Sequence, residues 1–238
     1  MKRLTFKELI VFENEHFILV NKPPYISTLD ERDLTRPSLI RLAKETYPDI
    51  QPCHRLDKET SGIIALAKTP DAYRHLSIQF ERRKVDKTYH AVVSGVHDFQ
   101  HTVVTEPIAV SNKGNVRIDS IDGKKSETVF NTLEIYYQHS LVECKPLTGR
   151  MHQIRIHLAC LKAPITADIL YGGKFSYLSD IKRRFNLKKG TDEEPLIKRV
   201  ALHAYKLSFE NLDGEQITVE APYPKDLRAL VNQLSKNK

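Results

Sequence analysis

The sequence predicts an α+β fold in which helices flank a large mixed, mainly antiparallel sheet. Three observations predict it. Short β-rich runs recur along most of the chain with Gly, Asn and Asp turns between them, the pattern of a meander. A few segments instead repeat apolar residues at helical spacing, as Ala72, Leu76 and Phe80 do. No internal repeat, low-complexity tract or linker interrupts the 238 residues, so one domain, residues 1–238, is the simplest organisation.

The elements follow in order. Residues 8–21, ELIVFENEHFILVN, hold two apolar runs parted by Glu13, Asn14 and Glu15, which predicts a β-hairpin. The second run ends at NKPP, whose prolines launch the loop YISTLDERDLTRP. A helix is expected from about Ser38 to Tyr47 on the stripe Leu39, Leu42 and Ala43. In QPCHRLDKETSGIIALAKT, 51–69, a cluster of reactive side chains runs directly into the apolar segment Ile63 to Ala67, so a rigid element carries a polar loop. Thr69 then caps a helix that opens on Pro70 and Asp71 and closes in the basic ERRK. KTYHAVVSG, 87–95, is a strand ended by Gly95, and strand-like segments continue at 102–110, 126–137 and 140–146.

MHQIRIHLACLK, 151–162, places Met151, Ile154, Leu158 and Leu161 on one face of a helix. Arg155 lies one turn from Met151 at the flank of that face, where it either snorkels or meets a carboxylate. Residues 172–199 are less regular and carry eight Lys/Arg against four acids, interleaved with Phe175, Tyr177 and Phe185. Such a mixture suits phosphate backbones and stacked bases, and it equally suits a solvated helix and loop. Strands around 200–209 and 215–220 and an amphipathic helix from Pro224 to Ser235 complete the chain.

Composition bounds the function. With 37 Lys+Arg against 30 Asp+Glu, the net charge of +7 makes a polyanionic partner plausible. The three cysteines, Cys53, Cys144 and Cys160, are odd in number and widely spaced, as reduced thiols would be. MKRLTFKELI lacks the apolar core of a signal peptide, and no run has the length of a membrane span, so a cytoplasmic protein is expected. His152 and His157 are five apart, not the i, i+4 pair of a zinc protease. A zinc deaminase would need a cysteine where Leu56 stands. No P-loop or dinucleotide glycine pattern is present. A Cys53–His54 nucleophile is a further reading, weakened because such pairs are made in space rather than between chain neighbours.

Within 51–69, Arg55 and Asp57 are two residues apart and share a face if the segment is extended. A carboxylate beside a fixed guanidinium favours its charged form, which suits a nucleophile or base. A surface salt bridge or a turn-capping Asp is the plainer reading of the same pair.

Four segments in order, LVNKPP (19–24), HRLDKETSGIIALAK (54–68), KTYHAVVSG (87–95) and LTGRMHQIRIHLACLKAPITADILYGG (147–173), with RVALHAYKLSF (199–209) in support, resemble the RluA family of RNA pseudouridine synthases. The resemblance implies a single pseudouridine-synthase-type domain that isomerises uridine without metal, nucleotide or other cofactor, on RNA that is either tRNA or large-subunit rRNA. It implies a monomer with no membrane partner. It makes Asp57 the catalytic carboxylate, Tyr89 the tyrosine packed on the uracil, and Arg155 the arginine paired with the aspartate, with Arg150 as competitor. Because the target base must leave its stack, a residue should fill the gap: Arg55 matches that position and His54 is the runner-up. Leu202 is expected to line the uracil pocket. Many relatives carry an N-terminal S4-type RNA-binding domain, whereas this chain begins almost at the catalytic domain. RNA contact is therefore expected from the basic 172–199 segment, Lys182, Arg183 and Arg184 above all. YISTLDERD and Ala167 depart from the usual pattern. A non-catalytic RNA-binding or RNA-chaperone protein is the alternative that the charge alone would support.

Overall fold

The computed structural model of the chain describes residues 4–31, 33, 35–111, 114–182, 184–187 and 190–238. The strands are β1 (Ile10–Glu13), β2 (Phe17–Lys22), β3 (Gln51–Pro52), β4 (Ser61–Ala67), β5 (Asp86–Ser94), β6 (Thr102–Val104), β7 (Ile108–Val110), β8 (Val116–Ile118), β9 (Thr128–Ile135), β10 (His139–Pro146), β11 (Leu202–Glu210) and β12 (Gln216–Glu220). The α-helices are α1 (Leu39–Lys44), α2 (Pro70–Glu81), α3 (Gln153–Cys160), α4 (Leu178–Ile181) and α5 (Lys225–Lys236). The chain forms two compact units, Met1–Thr88 with His203–Pro222, and Tyr89–Leu202 with Tyr223–Lys238.

In the first unit β1, β2, β4, β11 and β12 lie side by side, with the short β3 also on β4. The expected hairpin is present as β1 against β2. Among the described residues, the named strands of this unit pair antiparallel except β4 with β11, which makes the sheet mixed. Every residue of β4 is buried, which is why this strand reads as a continuous apolar run rather than an alternating one. Phe17 meets Phe209 edge to face at 5.1 Å inside this core.

Two small residues allow β11 to lie beside β4. Gly62 has φ +117°, and a Cβ there would stand 2.2 Å from the Ala204 carbonyl oxygen, so only glycine fits. Next to it, His203 Nε2 meets the Ala221 carbonyl at 3.0 Å and must carry the ring proton, leaving Nδ1 to accept from the Ser61 hydroxyl at 2.9 Å. Thr69 caps α2 as its sequence predicts, with Oγ1 accepting from the Ala72 N–H at 3.2 Å. The helix expected over 38–47 is shorter: Ser38 caps it, but it stops at Lys44, where the N–H groups of Thr46 and Tyr47 turn back to the Ala43 carbonyl.

The second unit contains the antiparallel order β5, β10, β9, β6, and a separate ribbon of β7 with β8. The single strand expected over 102–110 is two strands. They are separated at Pro107, which has no N–H to give a ladder. Leu227, Leu230 and Leu234 of α5 join Phe130, Val142, Ile154 and Leu158 in the core of this unit.

Helix α3 also departs from expectation. His152 takes a left-handed conformation, φ 54°, so the helix begins at Gln153, and Met151 is exposed outside it. Gln153 through Leu158 are all buried, so the helix has no polar flank, and Arg155 lies inside the fold rather than at an edge. Among the described residues no helix is long and apolar enough to cross a membrane.

Candidate active site

The loop that carries Asp57 is held on both sides of that residue by one segment, 22–31. On one side, Leu56 is buried, its N–H donates to the Thr28 hydroxyl at 3.1 Å, and the same hydroxyl donates back to the Leu56 carbonyl at 3.2 Å. On the other, the Lys58 carbonyl accepts from the Tyr25 N–H at 2.8 Å and from the Lys22 ammonium at 3.2 Å. Lys22 is wholly buried, and its ammonium also donates to the carbonyls of Pro23 (3.1 Å) and Ile26 (2.9 Å). A buried cation needs such a set of acceptors to repay its desolvation. Lys58 Nζ pairs with Glu31 at 2.7 Å. The half-buried Asp57 closes the turn by accepting from the Thr60 N–H at 3.1 Å through its own carbonyl. Its backbone is thereby fixed, which is what a reacting carboxylate requires.

The neighbours of Asp57 have different fates. His54 turns inward: Nε2 accepts from the Ala65 N–H at 3.0 Å, so the proton sits on Nδ1, and the ring packs on Phe80 at 4.8 Å. Burial, with the charge of Lys87 beside it, pushes His54 down to about 3. A ring so engaged is a structural peg for the loop, which corrects its expected second place as gap filler. Burial pushes the Cys53 thiol up to about 12, and the His54 nitrogen that would act as base is already bonded. The two therefore do not form a nucleophile and base. Arg55 is exposed and makes no ion pair among the described residues. The expected Arg55–Asp57 pair is thus not made, and 55–57 is not the extended strand on which that expectation rested.

The second unit holds the remaining expected residues. Tyr89 is half-buried on β5, opposite Cys144 of β10, and packs against the core. Gln153 fixes the start of α3: its Oε1 accepts from the Thr148 hydroxyl (2.7 Å) and the Arg150 N–H (3.0 Å), and its Nε2 donates to the Glu127 carbonyl and Thr128 hydroxyl, both at 2.9 Å. His157, fully buried, lies 3.0 Å from both the Glu106 carbonyl and the Thr128 hydroxyl. These bonds fix the start and the buried side of α3, the helix that carries Arg155.

Arg155 is gripped by Asp168. Its Nε and Nη2 each meet a carboxylate oxygen at 2.7 Å, and Asp168 has no exposed surface. The Tyr171 ring lies 5.1 Å from the guanidinium carbon, and its hydroxyl is 3.0 Å from His152 Nδ1. The loop that carries Asp168 is tight. Gly173 donates its N–H to the Asp168 carbonyl at 2.8 Å, and a Cβ on it would stand 2.0 Å from the Ile165 carbonyl oxygen. Asp168, Tyr171 and His152 are absent from the sequence-derived set, and the Gly172-Gly173 pair after Tyr171 is the one local sign of this turn.

Arg150, the competitor, donates Nε to the Lys125 carbonyl at 3.2 Å. Leu202 is buried in the core of the second unit. Of the basic segment, Lys182 and Arg184 are exposed, while Arg183, Lys188 and Lys189 lie outside the described residues. Arg199 is a correction: fully buried, it makes a two-pronged pair with Asp226 at 2.7 and 3.1 Å and serves the fold rather than a surface. Lys198 is engaged by Glu194 at 2.5 Å.

Residues 16–160 match the family model described as RNA pseudouridylate synthase. Over 233 residues the chain is 33% identical to a ribosomal large subunit pseudouridine synthase D of Neisseria meningitidis serogroup B, with 94% of this chain and 60% of that protein covered. Over 231 residues it is 31% identical to a ribosomal large subunit pseudouridine synthase C of Vibrio vulnificus, with 96% and 70% covered. The chain thus spans well under two thirds of the length of the meningococcal relative. Among solved structures, human RNA pseudouridylate synthase domain containing 1 superposes with a TM-score of 0.70 at 28% identity, over 94% of this chain and 87% of that one. The ordered motifs, the matched span and the superposition agree, and the chain belongs to the RluA-type family of RNA pseudouridylate synthases.

Proposed function

We propose that the protein converts uridine to pseudouridine in large-subunit ribosomal RNA, with Asp57 as the catalytic carboxylate. The observation that carries this reading is the family-matched HRLD loop, in which both neighbours of Asp57 are bonded to the 22–31 segment. The relatives' printed names favour large-subunit rRNA over tRNA.

In this reaction the N1–C1′ bond breaks, the uracil turns, a C5–C1′ bond forms, and the proton lost from C5 is balanced by one gained at N1. An ionised carboxylate serves each route open to Asp57: attack on the sugar, attack on the base, or removal of a sugar proton. Tyr89 packs on the uracil and its hydroxyl moves the late proton. Arg155 matches the family's arginine, and Asp168 fixes its guanidinium through two bonds at 2.7 Å. Arg55, exposed and uncommitted to an ion pair, fills the gap left by the flipped base.

Unmodified large-subunit rRNA and unmodified tRNA are each incubated with the protein and pseudouridine is mapped base by base. Conversion at a defined uridine of the rRNA is expected. Conversion confined to tRNA would overturn the substrate, and none in either would overturn the activity.

A further inference from the structure

Asp168 and Tyr171 restrain the Arg155 guanidinium in two different ways. The carboxylate takes Nε and Nη2, the two nitrogens of one edge, each at 2.7 Å. Such a fork resists sliding within the plane but yields more readily to tilting, because carboxylate oxygens accept over a broad range of angles. Nη1 is the nitrogen directed away from Asp168. A tilt of about 30° about the bonded edge moves it by on the order of 1 Å, an error that can cost about a hundredfold when the group serves a reaction.

The Tyr171 ring opposes that tilt. The guanidinium carbon lies over its face, 5.1 Å from the centroid. Tyr171 and Asp168 share one turn, in which the Tyr171 N–H donates to the Asp168 carbonyl at 3.1 Å. The ring is held in its turn by His152. The Tyr171 hydroxyl is 3.0 Å from His152 Nδ1, and the two rings meet edge to face with centroids 5.7 Å apart and planes at 84°. His152 has φ 54°, a left-handed backbone that Arg83 and Lys162 share, so the backbone alone carries no argument. Its ring does, because His152 immediately precedes α3 and stands three residues before Arg155. Arg155, Asp168, Tyr171 and His152 thus form a closed circuit within the second unit.

We propose that Tyr171 and His152 are positioning residues for the conversion of uridine: together they set the tilt of the Arg155 guanidinium. The inference rests on Arg155 serving that reaction, as the family match has it. Asp168 fixes the edge of the guanidinium, Tyr171 fixes its plane, and His152 fixes Tyr171.

The test measures kcat and KM for pseudouridine formation in the RNA that wild type converts, for Tyr171→Leu, Tyr171→Phe, His152→Gly, His152→Asn and the double variant of Tyr171→Phe with His152→Gly. Tyr171→Leu removes the ring face and should lower kcat by about tenfold or more with little change in KM. Tyr171→Phe and His152→Gly delete the same bond, so each should lower kcat by about fivefold, and the double variant should lose no more than either alone. His152→Gly also eases the left-handed backbone, so a role confined to the backbone predicts full activity for it. His152→Asn tolerates that backbone and places Oδ1 close to where Nδ1 stood, and it should recover most of what His152→Gly loses. Wild-type kcat in Tyr171→Leu and His152→Gly would overturn the proposal. So would losses that add in the double variant, or a raised KM at constant kcat, the mark of an RNA contact. Absent pseudouridine with wild type is a different failure: it overturns the reading of function and the proposal with it, whereas an active wild type beside unaffected variants overturns the proposal alone.

Discussion

Replacing Asp168 with alanine removes both 2.7 Å bonds from the Arg155 guanidinium at a place where the carboxylate has no exposed surface and the arginine side chain is 11% exposed. Deleting one member of such a pair costs about 3–5 kcal/mol, because a buried charge loses its counterion. Asn keeps one acceptor but sets its NH2 against a guanidinium N–H, so its cost should fall near the lower end of that range. The effect is local to the second unit, so hydrogen exchange of peptides spanning 150–175 is the suitable assay. At about 1.4 kcal/mol per tenfold, exchange in α3 should accelerate by roughly two to nearly four orders of magnitude. The double replacement Arg155→Met with Asp168→Leu should restore much of the protection, because no unmatched charge remains. A change of less than tenfold in Asp168→Ala would mean that the pair behaves like an exposed one, and the account of how Arg155 is held would be wrong.

Three further outcomes follow from the same geometry. Gly62→Ala forces a Cβ to 2.2 Å from the Ala204 carbonyl at φ +117°, so the first unit should lose more than about 3 kcal/mol; a soluble variant with a wild-type urea midpoint would refute the close approach. Folded His54 resists protonation down to about 3, whereas the unfolded chain takes up a proton below about 6.5. Stability is therefore full above about 6.5 and falls as the pH drops from there towards 3. His54→Gln should remove on the order of 1–2 kcal/mol of the loss between pH 7 and 5, and an unaltered pH profile of the urea midpoint would contradict this. Cys53→Ala should form pseudouridine at the wild-type rate, and a tenfold loss would revive a role for the thiol, which burial otherwise keeps protonated.

What the sequence reveals and what it hides divide along chain distance. The hairpin β1–β2, the cap at Thr69 and the apolar run of β4 are local patterns, and each stands where those patterns place it. Asp57 is conspicuous for the same reason, since a reactive cluster abuts a buried strand. Its supports are not local: the Thr28 hydroxyl reaches Leu56 and the Lys22 ammonium reaches Lys58 across a loop whose sequence advertises only prolines. Arg155 shows the limit of periodicity. A one-faced stripe implies an edge position, yet Gln153 to Leu158 of α3 are all buried, and the guanidinium there is met by Asp168, thirteen positions along. His54 looks reactive beside Asp57, but its role was decided by a backbone N–H on the neighbouring strand. Arg199 reads as surface charge until Asp226 is seen beside it.

The central claim is that Asp57 carries the reaction, and one substitution tests it most directly. Asp57→Asn preserves the size of the side chain and leaves the backbone bonds of Leu56, Lys58 and Thr60 available, so the loop should keep its form while losing the ionised carboxylate. In cells lacking the protein, wild type should restore pseudouridine at one or more mapped sites, and the stably folded Asn variant should restore none. Equal restoration by the Asn variant would contradict the account.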